Sequence, residues 1–369
     1  MTSARIPSVK EKYRKTLIII ALLFLIMGIW SIFHSLSNNS ITEEPPMREQ
    51  AMHPVDLRYD GDLVSVKIPK LYNGKPAVGS AVLVDADSLK VLWSYGGDQI
   101  GEIASMTKMM LMLTTYLMAD SGLITLDDTV YVTDEAPLMG GSQAYLDRGE
   151  RYTLRSLMKA VSVASANDAA YLLASYIGND SVYDAVKMMN TTAEKLNLKN
   201  TRFYNVHGLP PSTNAKEIGD GVGVVTYKKR KLVVAKEHNV STPIEMAKLG
   251  ISFCKFPELL EWTSIVSDSL WDIDRKRPCA YSLNNHFRLV RKEYVDGIKT
   301  GFTAKSGFCV TASAHKNGRR LIAVVFNAHD QNGRDRFVDH LFDVGYEYIA
   351  AIESPDSVVT TDVTYATIP

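Results

Sequence analysis

The sequence predicts an α+β fold: an antiparallel sheet assembled from the N- and C-terminal parts of the chain, a helical subdomain between them, and one transmembrane helix in front. Three observations carry this expectation. β-Rich segments lie at Val78–Asp85 and Val91–Tyr95 and again at Phe308–Ala314 and Leu321–Phe326. The stretch between them is dominated by helical periodicity, and an uncharged apolar run, Leu17–Phe33, precedes them all. Strands at both ends with helices in the middle are satisfied when the terminal strands share a sheet.

Taken in order, residues 1–16 are basic, with Arg5, Lys10, Lys12, Arg14 and Lys15 against Glu11. The apolar segment assigned to an anchor, 17–36, can cross a hydrocarbon core of about 30 Å as one helix. Trp30 lies near its outer end, and the positive-inside rule puts the N-terminus in the cytoplasm and the rest outside. A cleaved signal peptide is the competing reading. Its apolar region is usually about 7–15 residues, shorter than this run, and only Ser35-Leu36-Ser37 offers a cleavage site. Residues 37–75, polar and dotted with Pro45, Pro46 and Pro54, read as a linker.

The folded domain is expected over 76–350. Asp85-Ala86-Asp87-Ser88 joins the first two strands as a hairpin. Ser105 is placed as the N-cap of a helix that runs on through Met109-Met110-Leu111-Met112-Leu113 until Gly122 stops it. Arg155–Ile177 and Val182–Leu196 carry helical periodicity. Residues 210–240 break that texture with Lys228-Lys229-Arg230-Lys231 and read as an exposed loop or hairpin insertion. A Lys316-Asn317-Gly318 turn joins the last two strands, an amphipathic helix runs from about Arg334 to Ala350, and 351–369 is a tail.

Composition narrows the function. The 369 residues are 46% hydrophobic and 22% charged, with 41 basic against 41 acidic side chains. No basic field or aromatic-interleaved stripe points to nucleic acid. Cys254, Cys279 and Cys309 form no C-x-x-C and read as small buried residues, with a Cys254–Cys279 disulfide as the minor alternative. There is no H-E-x-x-H for a zinc peptidase and no G-x-S-x-G for an α/β-hydrolase.

The chemistry-bearing residues are Ser105 and Lys108, Ser165 and Asn167, and Lys299-Thr300-Gly301. Residues at i and i+3 share a helix face, so Ser105-Met106-Thr107-Lys108 sets a hydroxyl beside an amine, a nucleophile beside a base. S-x-x-K, S-x-N and K-T-G in that order mark the serine penicillin-recognising enzymes. The likeness extends to Asp147-Arg148-Gly149-Glu150, to Asn205-Val206-His207-Gly208-Leu209, and to Val295–Thr303 and Gly318–Val325. Over about 76–350 the chain resembles a D-alanyl-D-alanine carboxypeptidase of the low-molecular-mass penicillin-binding group, and the resemblance implies a serine β-lactamase/transpeptidase-like fold.

What the resemblance implies is specific. Ser105 would attack the D-Ala–D-Ala carbonyl of peptidoglycan stem peptides, Lys108 would act as base, and Ser165 would relay the proton. Asn167 would hold Lys108 and the substrate amide, and Lys299 and Thr300 would take the terminal carboxylate, with help from Arg320. The backbone N–H groups of Ser105 and Phe302, beside Gly301, would form the oxyanion hole. β-Lactams would be covalent inhibitors, the membrane would be a partner through the N-terminal helix, and no cofactor or metal is implied. A lysine is ordinarily protonated at neutral pH, so Lys108 must be buried near a second cation, Lys299.

The sequence departs from the family's pattern in three places. Ile103 stands where proline is common, the 210–240 insertion separates His207-Gly208-Leu209 from Ser241-Thr242, and the chain ends too soon for a second β domain or a C-terminal anchor. A β-lactamase would need a glutamate to activate the deacylating water, and Leu198–Leu209 holds no acidic residue. A transpeptidase would use the same acyl-enzyme. A non-catalytic wall-binding protein would not need Ser105, Lys108, Ser165, Asn167 and Lys299 all intact. His207 reads as structural, and His286 is left without a role.

Overall fold

The computed structural model of the chain describes residues 53–274 and 278–354. Its elements are β1 (Ser80–Asp85), β2 (Lys90–Tyr95), β3 (Gly101–Glu102), α1 (Thr107–Asp120), β4 (Thr129–Tyr131), β5 (Arg151–Thr153), α2 (Leu154–Val163), α3 (Asn167–Ile177) and α4 (Val182–Lys195). They continue with β6 (Lys216–Gly219), β7 (Val222–Tyr227), β8 (Arg230–Ala235), β9 (Val240–Ser241), α5 (Pro243–Cys254), α6 (Pro257–Ser264), β10 (Ser267–Trp271) and β11 (Pro278–Asn284). The last are β12 (Val295–Thr303), β13 (Gly307–Lys316), β14 (Arg319–Ala328) and α7 (Gln331–Glu353). Single 3-10 turns at Ala104–Met106 and Arg288–Arg291 matter for the site.

The period of two along a strand organises the centre. The main sheet has the order β12-β13-β14-β1-β2, antiparallel throughout, with Ala81 opposite Val325 and Leu83 opposite Ala323. Alternate residues (Ala81, Leu83, Val310, Ala312, Leu321) pack against Phe337, Leu341 and Phe342 of α7. Their neighbours (Val82, Val84, Ile322, Val324) face the opposite way and join Met106, Met109 and the helical lobe. Both faces are therefore buried, and the terminal strands share one sheet as expected.

Helix α1 is buried at every position from Thr107 to Thr115, which is the pattern of a helix surrounded on all sides. It packs against α2, α3, α4 and α5. Beyond β2 the sheet edge is covered by an irregular segment that includes residues 55–64. Arg58 N donates to Leu89 O (2.9 Å), Leu63 N to Leu92 O (2.8 Å), and Val55 and Val64 are buried. Covering an edge in this way removes a template for unwanted strand pairing.

Four expectations need correction or restriction. The Arg155–Ile177 stretch is two helices, because Ser165 takes a left-handed φ of 56° that no helix can continue through. Of the loop or hairpin expected for the 210–240 insertion the structure has the hairpin, extended to a three-stranded antiparallel sheet, β6-β7-β8. Val222 and Leu232 bury its inner face against the helical lobe while the Lys228-Lys229 turn stays exposed. Cys254 is a free thiol beside Ser313, so the disulfide alternative is discarded. Among the described residues no helix is long and apolar enough to cross a membrane, and the expected span, 17–36, lies outside them.

Candidate active site

The site lies where the turn before α1, the turn between α2 and α3, and strand β12 converge on a cleft of about 710 Å³. Ser105, Ser165, Asn167, Thr300, Gly301 and Phe302 all line it. Ser105 does not cap α1. It occupies the 3-10 turn, the helix starts without a side-chain cap, and its hydroxyl is engaged by Lys108 instead. Two glycines permit this placement. A Cβ at Gly208 (φ +82°) would stand 1.9 Å from Ala104 O, and one at Gly301 would stand 3.1 Å from Ser105 N. Any larger residue at either position would push the turn that bears Ser105 out of place.

Lys108, one turn on, is 0% exposed. Its Nζ lies 2.9 Å from Ser105 Oγ, 2.6 Å from Asn167 Oδ1 and 2.7 Å from His207 O. Asn167 Nδ2 donates to Gly140 O at 2.6 Å, which fixes the amide so that its oxygen faces the lysine. Burial drives the Lys108 pKa well below its ordinary value, and the positive charge of Lys299 adds to this while Asp168 opposes it. Lys108 Nζ donates to all three oxygens, and on losing a proton it can keep the bonds to Asn167 Oδ1 and His207 O, which only accept, and turn its lone pair to the Ser105 hydroxyl. The Ser105 hydroxyl itself donates to His207 O at 3.4 Å.

Ser165 sits at the break between α2 and α3, and among the described residues its hydroxyl takes no hydrogen bond. Asp168 is fully buried and accepts from Ala144 N (2.9 Å) and Leu146 N (3.0 Å), pinning the 140–146 loop along the cleft. On the sheet side Lys299 and Thr300 are nearly buried, and Lys299 Nζ donates to Thr300 O at 3.2 Å. Burial and the neighbouring Arg334 push the Lys299 pKa down to about 7.

Arg320 departs from the expectation. Its Nη1 is bonded to Asp296 Oδ1 (3.0 Å) and Oδ2 (2.8 Å), and it is not among the residues lining the cleft. The arginines that do line it are Arg288, Arg291 and Arg334. Arg334 is 2% exposed and held by Asp335 at 2.6 Å. None of the three stands out in the sequence, because charges near a helix start (Arg334) or in a short turn (Arg288, Arg291) look like a solvated face. Nor does the backbone of His207, whose side chain is held neutral by burial, with a pKa pushed down to about 3. Asn205 Oδ1 accepts from Gly208 N (2.6 Å), and Asn239 Nδ2 donates to Asn205 O (3.0 Å) and to Thr107 Oγ1 (2.8 Å). These asparagines fix the loop that presents the His207 carbonyl. The N-x-H-G-L segment was its only trace in the sequence.

Comparisons with known proteins identify the family and the fold. The family profile described as D-alanyl-D-alanine carboxypeptidase (Peptidase_S11) matches residues 70–330. The D-alanyl-D-alanine carboxypeptidase DacF of Bacillus subtilis is 34% identical over 269 residues, covering 72% of this chain and 61% of that protein. The carboxypeptidase DacD of Escherichia coli K12 is 31% identical over 285 residues, 74% of this chain and 64% of that protein. The chain thus spans less than two thirds of the length of these curated relatives. Penicillin-binding protein D2 of Listeria monocytogenes, solved with ampicillin bound, has a TM-score of 0.60 at 24% identity over 75% of this chain and 100% of that one. The Streptomyces K15 DD-transpeptidase has a TM-score of 0.63 at 21% identity over 76% of this chain and 100% of that one.

Proposed function

Because the chain belongs to the D-alanyl-D-alanine carboxypeptidase family, we propose that it removes the terminal D-alanine from peptidoglycan stem peptides through an acyl-enzyme on Ser105. The observation that carries this reading is the buried Lys108 amine 2.9 Å from the Ser105 hydroxyl. As Ser105 Oγ bonds to the penultimate D-alanine carbonyl carbon, its proton passes to the Lys108 lone pair. The carbonyl oxygen becomes an oxyanion facing the N–H groups of Ser105 and Phe302, each donor worth roughly 2.7–4 kcal/mol in systems of this kind. Collapse breaks the peptide bond, and the proton reaches the leaving amine through Ser165. Water then adds to the ester with its proton passing to Lys108, and as the Ser105 Oγ–carbon bond breaks Lys108 returns that proton to Oγ and the shortened peptide leaves.

The terminal carboxylate is read by Lys299, Thr300 and Arg334. Arg334 takes the part that Arg320 cannot, because Arg320 is committed to Asp296. β-Lactams, which carry a strained amide and a nearby carboxylate, acylate Ser105 in place of substrate. A segment over 17–36 anchors the protein in the membrane with the catalytic domain, 76–350, on the outer side, where the substrate is. The test is D-alanine release from a pentapeptide ending in D-Ala–D-Ala. Wild-type protein should release it and Ser105→Ala should not; equal release by both would refute the mechanism.

A further inference from the structure

The oxyanion hole of the reaction proposed above is divided between two pieces of chain. One donor, the N–H of Ser105, belongs to the turn before α1; the other, the N–H of Phe302, belongs to the end of β12. A Cβ on Gly301 would stand 2.7 Å from Ile103 O and 3.1 Å from Ser105 N, so only a glycine lets the two pieces pass this closely. Among the described residues no backbone hydrogen bond joins them. The β12–β13 hairpin reaches residues 102–106 by two long sulfur contacts, Cys309 Sγ to Glu102 O at 3.8 Å and Thr311 Oγ1 to Met106 Sδ at 3.6 Å. It also reaches them by one ion pair, Lys305 Nζ with Glu102 Oε1.

That pair is placed evenly about the two donors. Glu102 stands three residues before Ser105, and Lys305 three residues after Phe302. Each partner belongs to a well-tied segment. Glu102 lies opposite Val240 of β9, Ile103 N donates to Asn239 O at 3.2 Å, and His238 Nδ1 stands 3.1 Å from Glu102 Oε2. Lys305 sits in a turn closed by Thr303 N to Ser306 Oγ (2.9 Å) and Ser306 N to Thr303 Oγ1 (2.9 Å). Phe302 stacks on Phe308 across the hairpin, with ring centroids 4.3 Å apart. A tie between two such segments fixes the gap between the donors they carry. The Glu102 side chain is 13% exposed and that of Lys305 69%, so the pair adds little to stability. Neither residue lines the cleft; both line a separate cavity of about 340 Å³.

Building on the acyl-enzyme reading, we propose that Glu102 and Lys305 are positioning residues that set the width of the oxyanion hole. They act through the backbone of Ser105 and Phe302, holding the two N–H groups at the spacing that the tetrahedral intermediate's oxygen needs. Such donors act on the oxyanion and not on the ground-state carbonyl, so loosening the tie slows bond formation and leaves binding intact.

The test is acylation of the full chain by a fluorescent penicillin, resolved into the affinity of the non-covalent complex and the rate constant of acylation within it. Glu102→Gln and Lys305→Met should each lower the rate constant roughly tenfold, a fraction of the hundred- to thousandfold lost with a whole donor. Affinity should be unchanged and the melting temperature nearly so. Combining the two should cost no more than either alone, because they remove one interaction, and Lys305→Arg, which keeps the pair, should recover most of the rate. Lys305 is exposed, so its variants carry the test even where Glu102→Gln fails to fold. Wild-type rate constants in the single variants, losses that multiply, or a loss carried by the affinity overturn the proposal. The reaction reading is judged separately, by D-alanine release from the pentapeptide. A wild type that acylates but releases none fails that reading, while the variant ratios still decide the tie. A wild type that the penicillin does not acylate overturns both.

Discussion

Two lysines a short distance apart are asked to be in opposite states, and the structure supplies a cause for each. Lys108 is stripped of water on all sides, so its charged form has lost its hydration, and Lys299 adds a repulsive charge. Lys299 is depressed only to about 7, so it is charged below that pH and neutral above it. Capture of a carboxylate needs the charged form. In the free enzyme kcat/KM for a substrate with a free C-terminal carboxylate should therefore fall as pH rises through about 7. The loss should reach roughly tenfold, since Arg334 remains charged and holds part of the affinity. Lys299→Arg should move that limb to higher pH. A profile flat from pH 6 to 9 in the wild type would show that Lys299 does not bind the carboxylate.

At the level of elements, the site depends on how closely the Gly208 loop and strand β12 approach the turn that bears Ser105. The Gly208 position is the tighter, since a methyl there would stand 1.9 Å from a backbone oxygen and the residue also needs its φ of +82°. Gly208→Ala should cost at least about 2 kcal/mol of stability, from strain and from overpacking. Acylation of Ser105 by a fluorescent penicillin should be slowed far more than the melting temperature suggests. Normal acylation in a normally folded variant would contradict this account of the turn. The motif His207-Gly208-Leu209 was visible in the sequence, but its use was not, because the acting atom is a backbone carbonyl that no side-chain pattern reports. The break at Ser165 was hidden for a related reason. Val161 to Ala170 keeps helical periodicity through a residue whose backbone has reversed hand. The Lys228-Lys229 turn was seen, whereas the Val222 and Leu232 face that fastens the insertion was obscured by the surrounding charge.

For the whole molecule, the sheet could be foreseen because strands buried on both faces read as continuous apolar runs, as at Val82-Leu83-Val84 and Leu321–Phe326. The fold so formed is the penicillin-binding, transpeptidase-like one. Which arginine would face the cleft was not legible, because the partners that decide it come from other strands, Asp296 of β12 for Arg320 and Cys309 O of β13, beside the adjacent Asp335, for Arg334. Lys108 belongs to this scale too. It comes from the central helix of one lobe, Asn167 from the start of α3, and the cation that helps to discharge it from edge strand β12 of the sheet. Its ionisation is thus a property of the assembled domain. The most direct measurement is an NMR titration of the full chain with isotope-labelled lysine side chains, the Lys108 signal being identified by its loss in Lys108→Gln. The account predicts a Lys108 amine that loses its proton well below the ordinary lysine value of 10.5. A Lys108 signal that stays protonated up to about pH 10, near the free-lysine value, would contradict the claim that this amine takes the proton from Ser105.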